Sequence, residues 1–152
     1  MASAKDILDL IKEKDVKYVD VRFSDMRGKM QHVTFDLSLV DEEFLTDGTM
    51  FDGSSIAGWK AINESDMKLR PDLNTAMIDP FYQQTTLALF CDVLNPDTNT
   101  PYNRDPRSIA KAALNYTKSL GIGDTVFFGP GRWPMLPSGY CLAEETGSSV
   151  ES

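Results

Sequence analysis

The residues best suited to chemistry in this sequence crowd into one stretch. Between positions 48 and 65, Gly48, Gly53, Gly58, Ser54 and Ser55 surround Phe51, Asp52, Ile56 and Trp59. A carboxylate on a glycine-rich loop can attract a cation, and glycine lets backbone approach a ligand closely. The plain alternative is that Asp52-Gly53 is only a turn. Loops of this length inside a compact domain are usually functional or disordered, and the large aromatics argue against disorder. Other candidates are sparse. His32, the only histidine, sits beside Val33 on a predicted strand with no Cys, Asp or Glu cluster near it in sequence, which suits a structural histidine better than a metal ligand. Cys91 and Cys141 form no CxxC pair, and Cys91, inside an apolar run, reads as a buried free thiol.

The flanking patterns predict the elements that must hold this loop. Ser3 is a plausible N-cap with Asp6 three residues on, and Ile7, Leu8 and Ile11 repeat at helical spacing, predicting a helix over 4–14. Val19, Val21 and Phe23 alternate with Asp20, Arg22 and Ser24, and alternation resumes through Val33 and Phe35, so two strands should form a hairpin around Asp25–Lys29. A short helix is expected over Leu39–Leu45, closed by Gly48. Thr75–Ile78 and Thr85–Val93 are the next strand candidates, the second with both faces apolar. Asp105 as cap, Pro106 at the first helical position and Gly121 after the end predict a helix with Ile109, Ala113, Tyr116 and Leu120 on one stripe. Asp124–Phe128 reads as a last strand. This order suits an α+β sheet covered by helices on one face.

The 152 residues fit one domain with a proper core. A net charge of -8 argues against nucleic acid or an anionic membrane as partner. No run approaches the roughly 20 apolar residues of a membrane span, and the N-terminal residues carry no secretory apolar segment. The chain is expected in the cytoplasm. Composition shifts after Pro130: residues 131–152 show neither alternation nor a helical stripe and are expected to be unstructured.

Several motifs carry a family resemblance. Met50-Phe51-Asp52-Gly53-Ser54-Ser55-Ile56-Ala57-Gly58-Trp59, followed by Asn63-Glu64-Ser65-Asp66-Met67, is very similar to the N-terminal loop of type I (bacterial) glutamine synthetase. Asp20-Val21-Arg22-Phe23, Arg27-Gly28-Lys29, Gln31-His32-Val33-Thr34, Ile78-Asp79-Pro80-Phe81, Asp105-Pro106-Arg107-Ser108 and Phe128-Gly129-Pro130 resemble the family in order and spacing. The resemblance covers about residues 1–130. It implies a β-grasp-like N-terminal domain of an enzyme that joins ammonia to glutamate through a γ-glutamyl phosphate, using ATP with Mg or Mn. It also implies stacked hexameric rings whose active sites lie between neighbouring subunits. On that basis Asp52 would bind ammonium and take its proton in trans, Ser55 would lie beside it, and Asp66 would support a mobile loop of the adjacent subunit. Trp59 is assigned to a subunit interface, with loop packing as its alternative.

The resemblance stops after Gly129-Pro130. There the family places Glu-x-Glu on a strand, where alternation would aim both carboxylates at one divalent metal. Here Gly131-Arg132-Trp133 follows, and neither Gly131 nor Trp133 can ligate a metal. Glu144 and Glu145 are adjacent and would face opposite ways on a strand. The expected organisation is a β-grasp domain over 1–130 and an unrelated tail over 131–152, with no cofactor held by this chain and no activity of its own. The alternative is a non-catalytic module that docks onto intact glutamine synthetase subunits and modulates them.

Overall fold

The computed structural model describes residues 2–59 and 66–127. Helix α1, Ala4–Glu13, opens with a complete capping box: Asp6 N donates to Ser3 Oγ, and the Asp6 carboxylate accepts from Ser3 N at 2.8 Å. Strands β1, Tyr18–Ser24, and β2, Met30–Asp36, pair antiparallel from Tyr18↔Asp36 to Ser24↔Met30. Asp25 fixes their turn by accepting from Arg27 N, Lys29 N and Gln31 Nε2. A single 3-10 turn, Leu37–Leu39, precedes helix α2, Glu42–Thr46, where Phe44 N donates to the capping Asp41 carboxylate at 2.7 Å.

The expected long loop from residue 48 begins instead as strand β3, Thr49–Asp52, paired antiparallel with strand β4, Asp66–Pro71. The two-residue strand β5, Met77–Ile78, keeps the second half of the strand expected over Thr75–Ile78, and a 3-10 turn, Leu73–Thr75, takes its first residue. Local bonds from Asn74 N to the Asp72 carboxylate and from Thr75 Oγ1 to Asp72 O take the backbone away from a ladder. Strand β6, Thr86–Leu94, is central: it runs parallel to β1 and antiparallel to β4 and β5, giving the order β2-β1-β6-β4-β3.

Period-two alternation decides which face is dry. Val19, Val21, Phe23, Met67, Leu69, Leu87, Leu89, Cys91 and Val93 line one face and pack with Ile7 and Ile11 of α1 and Phe44 and Leu45 of α2. Burial pushes the Cys91 thiol up to about 12, so it stays neutral.

Helix α3, Pro106–Ser119, forms as its caps predict: Arg107 N and Ser108 N both donate to the Asp105 carboxylate. Its apolar stripe is not buried by any described residue: Ile109 is 54% and Tyr116 65% exposed. Ion pairs tie α3 down instead. Arg107 Nε and Lys111 Nζ reach Asp92 Oδ1 at 2.9 and 2.6 Å, and Arg107 also pairs with Asp72. Asp92 alternates with Cys91 and Val93, so α3 meets the sheet on the face away from the core. The strand expected over Asp124–Phe128 is absent from its described part, and Phe127 is 91% exposed.

That second face also carries a buried ionic network. Asp20, 0% exposed, accepts from Arg22 Nε at 2.7 Å and Thr34 Oγ1 at 2.8 Å and pairs with His32 Nδ1 at 2.8 Å, while Arg22 Nη2 reaches Asp79 at 2.5 Å. His32 thus has a structural partner. Burial raises the Asp20 carboxyl, but hydrogen bonds from Arg22, His32 and Thr34 outweigh it and hold the group below the usual carboxylate value. Asp79 is lowered by its hydrogen bond from Arg22. A carboxyl depressed in the folded state contributes stability that is fully present above its unfolded pKa of about 4 and is lost as pH falls through the folded value. Asp20→Asn keeps the shape and removes the charge; breaking a buried pair this way should cost about 3 kcal/mol. Urea unfolding should show that loss at neutral pH and a shallower fall of stability below pH about 4. Unchanged stability would mean the Asp20–Arg22 pair is energetically neutral.

Candidate functional site

The loop is positioned from its first residue. Gly48 adopts φ +98° after α2, and a Cβ there would stand 2.3 Å from Leu69 O and 2.9 Å from Arg70 Cα. Only glycine lets β3 lie this close to β4. The resulting register sets Thr49 opposite Leu69, Phe51 opposite Met67 and Asp52 opposite Asp66. Phe51 turns inward, its ring 5.1 Å from Phe23 and 6.2 Å from Trp59. Asp52 and Asp66 are both exposed. Two carboxylates directly opposite on neighbouring strands repel each other, an arrangement that weakens a sheet and favours a cation beside it.

Asp52 ends β3 and caps the next turn. Its Oδ1 accepts from Ser54 N at 2.8 Å and from Ser54 Oγ at 2.6 Å. Gly53–Ser55 forms one 3-10 turn, closed by Ile56 N donating to Gly53 O at 3.1 Å, and leaves Ser55 exposed beside Asp52. The turn reading of Asp52-Gly53 is thus met, with the Asp52 side chain still exposed. Ile56 and Trp59 then drop into the core.

Trp59 corrects an expectation. Placed at a subunit interface from sequence, it is only 4% exposed, with its ring 5.4 Å from both Phe23 and Tyr102. Burying so large a ring is worth more within the chain than as an exposed anchor. Tyr102 Oη donates to Trp59 O at 2.9 Å, and Arg104 Nη1 donates to Gly58 O and Trp59 O at 2.5 and 3.2 Å. Nothing in the loop's own sequence signals these partners, which lie more than forty positions away.

Gly131 and Trp133, expected from the resemblance at the positions of the family's metal-binding glutamates, lie outside the described residues, as does the tail expected over 131–152. Among the described residues no three His, Cys, Asp or Glu side chains come together as a metal site. Among the described residues no helix is long and apolar enough to cross a membrane.

A mixed sheet built on a parallel β1–β6 pair, carrying two opposed carboxylates at one end, defines an acidic β-grasp domain. The chain belongs to the glutamine synthetase family: the family described as "Glutamine synthetase, beta-Grasp domain" matches residues 15–96. It is 66% identical over 130 residues to the glutamine synthetase of Azorhizobium caulinodans, covering 86% of this chain and 28% of that protein. With the Escherichia coli K12 glutamine synthetase it shares 57% identity over 128 residues, 84% of this chain and 27% of the relative. The chain thus spans a little over a quarter of the length of these relatives. In fold it resembles the Plasmodium falciparum glutamine synthetase solved by cryo-electron microscopy, with a TM-score of 0.70 at 22% identity over 80% of this chain and 23% of that one.

Proposed function

We propose that this chain is the N-terminal part of a cytoplasmic glutamine synthetase, that Asp52 serves an ammonium site completed by a neighbouring subunit, and that the chain alone forms no glutamine. The observation that carries the reading is the pairing of Asp52 with Asp66 at the exposed end of β3 and β4. A carboxylate there attracts ammonium and can accept one of its protons, freeing the nitrogen lone pair. That nitrogen would then attack the γ-glutamyl phosphate, forming the C–N bond as the C–O bond to phosphate breaks. Ser54 holds the Asp52 carboxylate in place through two hydrogen bonds. Phosphoryl transfer draws its main electrostatic stabilisation from metal ions and cationic clamps, and Gly131 and Trp133 offer no metal ligand. In the family, ATP and Mg or Mn belong to the full-length enzyme.

The exposed apolar residues Ile109, Tyr116, Leu120 and Phe127 favour a second reading, in which the chain docks onto intact glutamine synthetase subunits and modulates them. One pair of assays separates the two. Mg- and ATP-dependent γ-glutamyl transfer by the purified chain, free of host enzyme, should stay at background; reproducible turnover would overturn the proposal. Adding the chain to intact Azorhizobium caulinodans enzyme should leave its rate unchanged, whereas a saturable change would establish the modulating role.

A further inference from the structure

We infer that Tyr102 and Arg104 are positioning residues that hold Asp52 in its working place by clamping the far end of its loop. The inference rests on the reading of Asp52 given above. The near end of the loop is fixed by the β3–β4 ladder. Among the described residues the far end, Gly58–Trp59, joins no ladder and is held along its backbone by a local bond, Trp59 N donating to Ile56 O at 3.2 Å. Burial of the Trp59 ring anchors a side chain, and Gly58, at φ +84° with nothing within 4 Å of where a Cβ would stand, has no side chain to pack the adjoining backbone against the domain.

The clamp adds long-range restraint to that local bond. Trp59 O accepts two donors, Tyr102 Oη at 2.9 Å and Arg104 Nη1 at 3.2 Å, and the same arginine nitrogen reaches Gly58 O at 2.5 Å. Tyr102 is itself fixed to the central strand: its N donates to Val93 O at 2.9 Å, and Leu94 bridges to Pro101. Arg104 is exposed, yet it spends its charge on two backbone carbonyls. Charge-assisted bonds of this kind are stronger and more directional than neutral ones. The clamp therefore ties the loop to β6, so the carboxylate at its other end does not drift with Gly58.

Two measurements test this on the series Tyr102→Phe, Arg104→Lys, Arg104→Ala and Tyr102→Phe/Arg104→Ala. In the 152-residue chain, amide hydrogen exchange of residues 54–59 should accelerate in that order while the amides of Val19, Val21 and Leu89 stay protected. In a chimera carrying residues 1–127 of this chain ahead of the remaining Azorhizobium caulinodans sequence, the double variant should raise KM for ammonia about tenfold with kcat nearly unchanged, since only about a tenth of loops would be competent to bind. Arg104→Lys should recover part of the loss, because a lysine can reach one carbonyl but not both in fixed geometry. If exchange rises and KM stays put, or if kcat and the melting temperature fall together at constant KM, the residues are structural and the inference is overturned. Asp52→Asn in the same chimera is the separating control. Full activity there would bring down the Asp52 reading and this inference with it, whereas a dead Asp52→Asn beside an unaffected double variant would overturn the clamp alone.

Discussion

Asp52→Asn in the full-length chimera should cut kcat/KM for ammonia by about a hundredfold or more, the size of effect expected when a positioned base is lost. The fold should not register the change. Asparagine caps a helical turn about as well as aspartate, and its side-chain oxygen can still accept from Ser54 N, as Asp52 Oδ1 does at 2.8 Å. Position 52 is exposed at the end of β3, and exposed substitutions usually move stability by no more than about 0.5 kcal/mol. Losing one of two opposed negative charges relieves repulsion with Asp66, which works in the same direction. The comparison is kcat/KM for ammonia beside the thermal midpoint of both proteins. Surviving activity, or a midpoint lowered by many degrees, would make Asp52 a turn residue and nothing more.

Gly48→Ala should unfold or nearly unfold the domain, at about 3 kcal/mol or more. The new Cβ would meet backbone on β4, with Leu69 O at 2.3 Å and Arg70 Cα at 2.9 Å, and backbone cannot rotate aside as a side-chain tip can. The collision lies at the start of β3, so any relief shifts the strand that carries Asp52. Gly28→Ala is the control. Gly28 also has positive φ, +79°, but open space where the Cβ would go. It should cost only the left-handed backbone penalty, about 1–2 kcal/mol. Denaturant unfolding of both variants at one pH gives the comparison. Equal losses would show that conformation, not the close approach of β3 to β4, makes Gly48 necessary.

Where a segment's neighbours in sequence determine its state, the amino-acid sequence was a sufficient guide to this protein. Ser3 with Asp6, Asp105 with Pro106, and the alternation of Val19, Val21 and Phe23 each specify a local geometry, and the structure has it. The loop around Asp52 was legible only in part: its glycine and serine turn forms over Gly53–Ser55, but Thr49–Asp52, read as loop, is strand. The β-grasp class followed from motif resemblance, and the family match over residues 15–96 bears it out.

What the sequence left open depended on distant chain. Met67 and Leu69 do alternate with Lys68 and Arg70, yet Asp66–Pro71 becomes a strand because β3 and β6 supply ladders on both sides. Asp124–Val126 and Phe127 carry strand-like residues, but they have no ladder partner among the described residues and remain irregular. Trp59 is silent about its own burial; Phe23, Phe51 and Tyr102, spread from position 23 to position 102, make the pocket that takes it. The face-to-face placement of Asp52 and Asp66 is likewise a matter of register, set by the absence of a side chain at Gly48. Caps and periodicity are short-range, enforced by bonds within a few residues of each other. Ladder partners, ring clusters and opposed charges are decided only when the sheet closes, since each needs a surface that distant residues build.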